Sequence, residues 1–85
     1  MKTFDYVITE AVGIHARPAS MLAKKAMEFK STVTLSGNGK SADVKKLIAL
    51  MSLGVKKDAS VTVTIEGEDE EEALASLQNF FQENL

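Results

Sequence analysis

The sequence predicts an α+β open-faced sandwich, in which a four-stranded, mostly antiparallel sheet carries three helices on one face. Strand-type alternation and helix-type periodicity follow one another along the chain in the order βαββαβα. The pair Asn38-Gly39 predicts a tight hairpin between the two middle strands, which makes at least part of the sheet antiparallel. Helices on one face of such a small sheet cover its apolar side. We expect a single domain over residues 1–85, whereas the pattern leaves the strand order open.

The first part of the chain predicts a strand, a loop and a helix. Residues 3–9 alternate between apolar and polar side chains, which is typical of a half-buried strand. Residues 11–15 form a loop, and a helix begins between Ala16 and Pro18, because proline is tolerated in a first helical turn. The apolar stripe predicted for this helix consists of Ala19, Leu22, Ala23, Ala26 and Met27.

The second part predicts the hairpin, a short helix, a strand and a final helix. Residues 32–36 and 40–43 are the hairpin strands, and the short helix spans about 46–53 before Gly54, a left-handed stop. Residues 61–65 alternate as a fourth strand. The last helix starts near Asp69 and is predicted to pack Ala73, Leu74, Leu77, Phe80 and Phe81 inward.

The composition excludes several classes of site. The chain has no Cys and one His, which leaves no disulfide, no thiolate ligand and no zinc site of the usual kind. No apolar run approaches the roughly 20 residues of a membrane-spanning helix, and the first ten residues lack a signal-peptide pattern. We therefore expect a cytoplasmic protein that does not insert into membranes.

The charge is distributed unevenly. Residues 66–85 contain seven acidic and no basic residues, so residues 1–65 hold all ten basic residues against five acidic ones. The acidic segment suits the start of a helix, and the basic remainder suits an acidic partner or a phosphate. A nucleic-acid partner is not expected, because the pI of the chain is low, about 5.3.

Reactive chemistry is concentrated in residues 13–18, around the sole histidine, His15. At the start of a helix, unpaired N–H groups and the positive end of the dipole favour an anion and keep the imidazole neutral and nucleophilic. A phosphoryl group on this ring could accept hydrogen bonds from the N–H groups of Ala16 and Arg17, and the guanidinium offers a planar donor fork. Pro18 fixes the direction of the chain. Each residue alone has an ordinary structural explanation, so the prediction depends on the complete string.

The string GIHARPA at residues 13–19 resembles the active-site signature of the HPr family, the histidine-containing phosphocarriers of the bacterial phosphotransferase system. Three further segments match that family at consistent spacing: residues 38–40, 51–54 and 66–70. Together the four segments extend the resemblance over essentially the whole chain, and it implies the same βαββαβα sandwich.

The resemblance also implies a function. Enzyme I, charged by phosphoenolpyruvate, would transfer its phosphoryl group to Nδ1 of His15, and the carrier would give it to the A component of a sugar permease. Arg17 would stabilise the transferred group, with Ala16 and Pro18 completing the phosphate-binding residues. No metal and no cofactor is implied beyond the phosphoryl group itself. The protein would be a monomeric carrier rather than an enzyme.

A partner-docking surface is implied beside His15. A short helix cannot bury all of its apolar side chains, so some of them should form a contact patch, and lysines around it would complement acidic partners. The residues implied for this surface are Ser20, Lys24, Lys45, Lys46, Leu47, Ile48 and Met51.

Two residues depart from the family pattern. Lys46 stands where many members carry a serine that a dedicated kinase phosphorylates, so this regulation cannot occur at position 46. Val12 stands where members usually carry a small polar residue, so any hydrogen bond from that side chain is missing.

Three other functions remain open from the sequence. The nitrogen-related paralogue shares the His-Ala-Arg-Pro string, although residues 51–54 favour the sugar branch. A regulatory protein could act only by docking to a transcription factor or an enzyme. A small phosphatase would need a group that activates water, and Ser20 is the only clear polar candidate between residues 11 and 20.

Overall fold

The computed structural model describes residues 1–85 and has the predicted element order. The short helix is three residues shorter than predicted, because residues 52 and 53 turn toward Gly54 and Lys46 remains extended as the N-cap. The elements are β1 (Lys2–Val7), α1 (Ala16–Met27), β2 (Thr32–Gly37), β3 (Lys40–Asp43), α2 (Leu47–Met51), β4 (Ser60–Glu66) and α3 (Glu70–Asn84).

The four strands form one sheet in the order β1-β4-β2-β3, and every neighbouring pair is antiparallel. Val63 on the central strand β4 lies opposite Phe4 of β1 on one side and Leu35 of β2 on the other. The hairpin at Asn38-Gly39 has positive φ angles of 54° and 73°, as the predicted turn requires. β1 and β3 are consequently the edges of the sheet.

The helices cover one face of the sheet and enclose the core. Phe81 of α3 is the largest fully buried side chain, and its ring packs edge-on against Phe4 and Tyr6 at centroid distances of 5.5 and 5.4 Å. Burying a side chain of this kind contributes about 1.5–3 kcal/mol. None of the helices combines the length and apolar character that a bilayer crossing requires.

The opposite face of the sheet carries no helix and is lined by polar side chains. The hydroxyl of Thr62 donates a hydrogen bond of 2.7 Å to Oδ1 of Asp5 on the neighbouring strand. Buried and more exposed residues alternate along β4, so one face of the sheet is buried against the helices and the other faces solvent. The hydroxyl-bearing residues of the solvent-exposed face are Thr3, Thr32, Thr34, Ser36, Ser41, Ser60, Thr62 and Thr64.

The predicted apolar stripe of α1 is correct except at Met27, which is 65% exposed. Met27 is the last residue of α1, and the chain turns away at Glu28 before its side chain can reach the sheet. The other four predicted residues, Ala19, Leu22, Ala23 and Ala26, are buried.

Asp69 joins the start of α3 to the turn before β2. Its carboxylate accepts hydrogen bonds from the N–H groups of Lys30 (2.8 Å) and Ser31 (2.9 Å) and from the Ser31 hydroxyl. These hydrogen bonds lower the pKa of Asp69 below its ordinary value. The bond from the Ser31 hydroxyl is the largest cause, and the bond from the Lys30 N–H is the second. This contact fixes α3 over the sheet and directs its other end toward the loop after β1.

Candidate functional site

The loop before α1 is held by main-chain hydrogen bonds. The Gly13 N–H donates to the carbonyl of Glu10 (2.9 Å), and the Ile14 N–H donates to the carbonyl of Val55 (3.0 Å). Gly13 has a φ of 77°, and a Cβ atom there would lie 2.4 Å from the Val55 oxygen and 2.5 Å from Cα of Lys56. Only glycine fits this position without a shift of the backbone.

The end of α3 ties down the same loop. The main-chain oxygen of Leu85 accepts hydrogen bonds from the N–H groups of Thr9 (2.5 Å) and Glu10 (2.8 Å) and from the Thr9 hydroxyl (3.0 Å). The Leu85 side chain is buried. The loop is therefore fixed from both sides, by Val55 and by Leu85, although these residues are distant in sequence.

His15 is the N-cap residue of α1. Its backbone is extended (φ −105°, ψ −173°), and its carbonyl accepts the first helical hydrogen bond, from Ala19 at 2.9 Å. The imidazole makes no capping hydrogen bond and is partly exposed. The N–H groups of Ala16 and Arg17 have no acceptor within the chain. A free ring thus lies beside two free donors at the positive end of a twelve-residue helix.

A cavity of about 330 Å³ opens at this helix start. It brings together His15, Arg17 and Pro18, three of the residues predicted from the sequence. The guanidinium of Arg17 is exposed and forms no ion pair, so its donors are available to an anion in the cavity. The six residues that line the cavity are Glu10, His15, Arg17, Pro18, Met21 and Asn84.

Three of the lining residues were not predicted. Glu10 lies five positions before His15, and its nearness in sequence was a usable signal. Met21 follows Arg17 by one helical turn, which also places it on the same side of α1. Asn84 lies 69 positions after His15, and no local pattern indicated that the end of α3 would meet the loop.

The short helix α2 exposes part of its apolar surface. Ile48 is 79% exposed, Leu47 36% and Met51 38%, whereas Leu50 is buried in the core. Met21 on α1 is 42% exposed, and α1 packs against α2. The exposed apolar side chains of Met21, Leu47, Ile48 and Met51 are called the α1–α2 patch below.

The predicted lysines differ in their surroundings. Lys24 and Lys46 are exposed, as is Ser20. Lys45 is partly buried, and its ammonium donates a hydrogen bond of 2.9 Å to the carbonyl of Phe29. Lys45 thus has an acceptor within the chain, at the turn after α1.

The two departures from the family pattern also have defined places. Lys46 is the N-cap residue of α2 and makes no side-chain capping bond. At the other end of α2, the Ser52 hydroxyl donates a hydrogen bond of 2.7 Å to the carbonyl of Ala49. The side chain of Val12 is 62% exposed beside the His15 loop. No three His, Asp or Glu side chains lie close enough together to hold a metal ion.

Known proteins resemble this chain over nearly its whole length. The model of the family described as "PTS HPr component phosphorylation site" matches residues 2–83. Phosphocarrier protein HPr of Mycoplasma genitalium is 46% identical over 99% of this chain and 97% of its own length. The HPr of Mycoplasma pneumoniae is 47% identical over 92% of this chain and 90% of its own length.

Solved structures of phosphocarrier proteins have the same fold as this chain. A Mycoplasma histidine-containing phosphocarrier protein superposes with a TM-score of 0.93 at 33% identity and covers 96% of this chain and 93% of its own. HPr of Bacillus anthracis superposes with a TM-score of 0.87 at 30% identity, covering 95% of this chain and 96% of its own.

Proposed function

Because the chain belongs to the HPr family of phosphocarriers of the phosphotransferase system, we propose that His15 accepts a phosphoryl group from phosphorylated enzyme I. The carrier then donates this group to the A components of sugar permeases. The family consists of carriers, so the protein takes up and releases the group stoichiometrically and is not itself the catalyst. The group derives from phosphoenolpyruvate, and no other cofactor is involved.

The observation that carries the proposal is the position of the free His15 ring at the start of α1. The imidazole makes no hydrogen bond that a nucleophile would first have to break. The N–H groups of Ala16 and Arg17 have no acceptor within the chain and lie at the same helix start, and Arg17 lines the same cavity as His15. These donors would stabilise the charge on the transferred oxygens.

The exposed position of the site suits reversible transfer. A ring nitrogen of His15 attacks phosphorus as the bond to the donor breaks, and the reverse exchange delivers the group to the acceptor protein. The site contains one guanidinium and two main-chain donors, which is enough to position the group without enclosing it.

The α1–α2 patch supports the proposal that partner proteins dock beside His15. Exposed apolar side chains of this size, with Lys24 and Lys46 nearby, suit an apolar contact surrounded by acidic side chains of a partner. Methionine adapts to differently shaped surfaces, which fits a carrier that meets several partners in turn.

The test is incubation with enzyme I and labelled phosphoenolpyruvate, followed by acid and alkali treatment. We expect label that is lost in acid and survives alkali, because a phosphorus–nitrogen bond is acid-labile. With one histidine in the chain, such label lies on His15. His15→Ala should fold normally and take no label, and label retained by this variant would contradict the assignment.

A second candidate function is regulation by docking alone, which the exposed Ile48 favours. In that case the protein would bind a partner through the α1–α2 patch whether or not His15 were phosphorylated. Absence of label, or acid-stable label, in the experiment above would support this candidate. Transfer to nitrogen-branch acceptors in preference to sugar-permease A components would instead indicate the nitrogen-related branch.

A further inference from the structure

Glu10 is an acidic residue that lines the His15 cavity, and the proposed transfer does not use it. The cavity lining contains one cationic side chain, Arg17, and one anionic side chain, Glu10. Neither forms an ion pair within the chain. A negative charge therefore lies at the edge of the same cavity as the donors that would hold a phosphoryl group.

The main chain fixes Glu10 in this position. Its N–H donates to the oxygen of Leu85 (2.8 Å), and its carbonyl accepts from the N–H of Gly13 (2.9 Å). One carboxylate oxygen lies 3.4 Å from the N–H of Val12, and the residue is half-buried. The main chain of Glu10 is thus held at both its polar groups, and its side chain extends from a fixed point beside the cavity.

A carboxylate at this place destabilises a phosphoryl group on His15 in two ways. A phosphoryl group carries close to two negative charges at neutral pH, so Glu10 repels it directly. Glu10 also attracts the guanidinium of Arg17, and this attraction competes with the phosphoryl oxygens for the same donors. Both effects raise the free energy of the phosphorylated carrier relative to the free one.

We propose that the charge of Glu10 weakens the hold of the His15 site on its phosphoryl group and so favours delivery to the acceptor. The inference rests on the proposed function. In the delivery step the bond from phosphorus to the His15 nitrogen breaks as the bond to the acceptor forms. Glu10 gains neither a proton nor the phosphoryl group, and acts only through its charge.

The experiment measures the equilibrium between free and phosphorylated carrier. The full chain is incubated with a catalytic amount of enzyme I at a fixed ratio of phosphoenolpyruvate to pyruvate, chosen so that the wild type is partly phosphorylated. Because enzyme I acts as a catalyst, changes in its docking alter the rate and leave the final ratio unchanged. The measured ratio therefore reports the charge effect and not a loss of contact with enzyme I.

Glu10→Gln should shift the equilibrium toward the phosphorylated carrier by about threefold to tenfold, the range expected for a partly exposed charge beside a divalent anion. Glu10→Asp, which keeps the charge, should lie close to the wild type. Raising the ionic strength to about 1 M shortens the screening length to about 3 Å and should reduce the shift.

Glu68→Gln is the matched control. It removes the same charge but lies before the other end of α3, and that fifteen-residue helix separates it from Asn84 in the cavity lining by roughly 20 Å. This distance exceeds the screening length at physiological salt, so the equilibrium should not change.

The outcomes separate the two proposals. A wild-type chain that takes no label overturns the proposed function and this inference with it. A wild-type chain that is labelled, with Glu10→Gln and Glu68→Gln giving the same equilibrium ratio, overturns the inference alone. A shift of Glu10→Gln toward the free carrier also overturns it, because the carboxylate would then stabilise the phosphorylated form.

Discussion

At the scale of single residues, the proposed function assigns charge stabilisation to Arg17. Its guanidinium lines the His15 cavity without an ion pair, so its donors are not committed elsewhere. Electrostatic donors of this kind typically contribute a factor of about 10²–10³ to a rate. The transfer rate and the fold should therefore respond very differently to a change at Arg17.

Arg17→Ala should slow transfer from enzyme I by about a hundredfold and leave the unfolding free energy almost unchanged, because the side chain is exposed. Rapid-quench kinetics and denaturant unfolding measure the two quantities. Arg17→Lys should recover only part of the rate, since an ammonium lacks the planar donor fork. Unchanged transfer by Arg17→Ala would show that the guanidinium does not contact the transferred group.

Comparing alanine substitutions at Gly13 and Gly54 separates the energetic cost of a close backbone contact from the cost of a positive φ. Both have positive φ, but a Cβ at Gly13 would meet the Val55 oxygen at 2.4 Å, whereas no atom lies within 4 Å of one at Gly54. Gly54→Ala should cost about 1–2 kcal/mol, the strain of the left-handed conformation alone. Gly13→Ala should cost clearly more and should also slow phosphoryl transfer. Equal unfolding free energies for the two variants would contradict this interpretation of Gly13.

Residues near His15 in sequence were predictable, and those brought there by the fold were not. Gly13 and the donors Ala16 and Arg17 lie within two positions of His15, so the local pattern was enough to identify them. Asn84 reaches the cavity only because Leu85 is hydrogen-bonded to Thr9 and Glu10. No rule of periodicity or turn chemistry connects positions so far apart.

At the scale of elements, α2 divides its apolar residues between the core and the surface. Leu50 is 1% exposed and Ile48 is 79% exposed, because residues two positions apart lie on opposite sides of a helix. The helix has five residues and contacts α1 and β3, so it has too few neighbours to cover every side. One element therefore serves both stability and the proposed docking.

Substitutions at these two positions should separate stability from docking. Leu50→Ala should lower the unfolding free energy by about 2–5 kcal/mol, because it opens a cavity in the core. Ile48→Ala should change stability by less than about 0.5 kcal/mol, since the side chain is mostly in water. It should instead weaken binding to enzyme I, measured by calorimetry. Binding at wild-type affinity would remove Ile48 from the proposed docking surface.

Element type was predictable because hydrophobic periodicity and turn residues are local signals. The hairpin strand over residues 40–43 has the predicted bounds, and Gly54 has the expected positive φ of 66°. The ends of α2 were less predictable, since its last turn depends on packing against neighbouring elements. The exposure of Met27 likewise depends on where the chain turns after α1, which the helical pattern does not encode.

At the scale of the whole molecule, stability depends on pH through two carboxylates around the start of α3. Hydrogen bonds from Ser31 and Lys30 lower the pKa of Asp69. A hydrogen bond and charge attraction from the amino group of Met1, with a hydrogen bond from Gly67, lower the pKa of Glu70. A lowered pKa in the folded state stabilises the fold above the unfolded value, near 4, and this stabilisation is lost as the pH falls through the folded pKa.

The unfolding free energy of the wild type should therefore fall as the pH drops below about 5. Asp69→Asn should be less stable at pH 7, because an amide cannot accept the three hydrogen bonds as a carboxylate does, and it should lose less on acidification. Urea unfolding at pH 7 and pH 3 measures both effects. Glu72→Gln, an exposed acid of the same helix, is the control and should keep the wild-type pH dependence.

The strand order could not be predicted from the chain, because alternation within a strand does not specify its neighbours. Lys2 of β1 pairs with Ile65 of β4, while the hairpin strands β2 and β3 pair across a two-residue turn. Only the second pairing had a local signal, the Asn38-Gly39 turn. The order β1-β4-β2-β3 is therefore known from the structure alone.

The hydrogen bonds from Thr9 and Glu10 to Leu85 have a consequence for the order of events during synthesis. Thr9 and Leu85 are 76 positions apart. At a synthesis rate of about 5–20 residues per second, Leu85 is therefore added roughly 4–15 s after Thr9, and until then the loop lacks the acceptor of its hydrogen bonds. The pairing of β1 with β4 is also non-local, and such contacts close late because a long loop must first be ordered. A nascent chain therefore displays the GIHARP string long before it has the loop geometry on which the proposed phosphoryl transfer depends, and unfinished chains should not compete with finished carriers for the proposed donor.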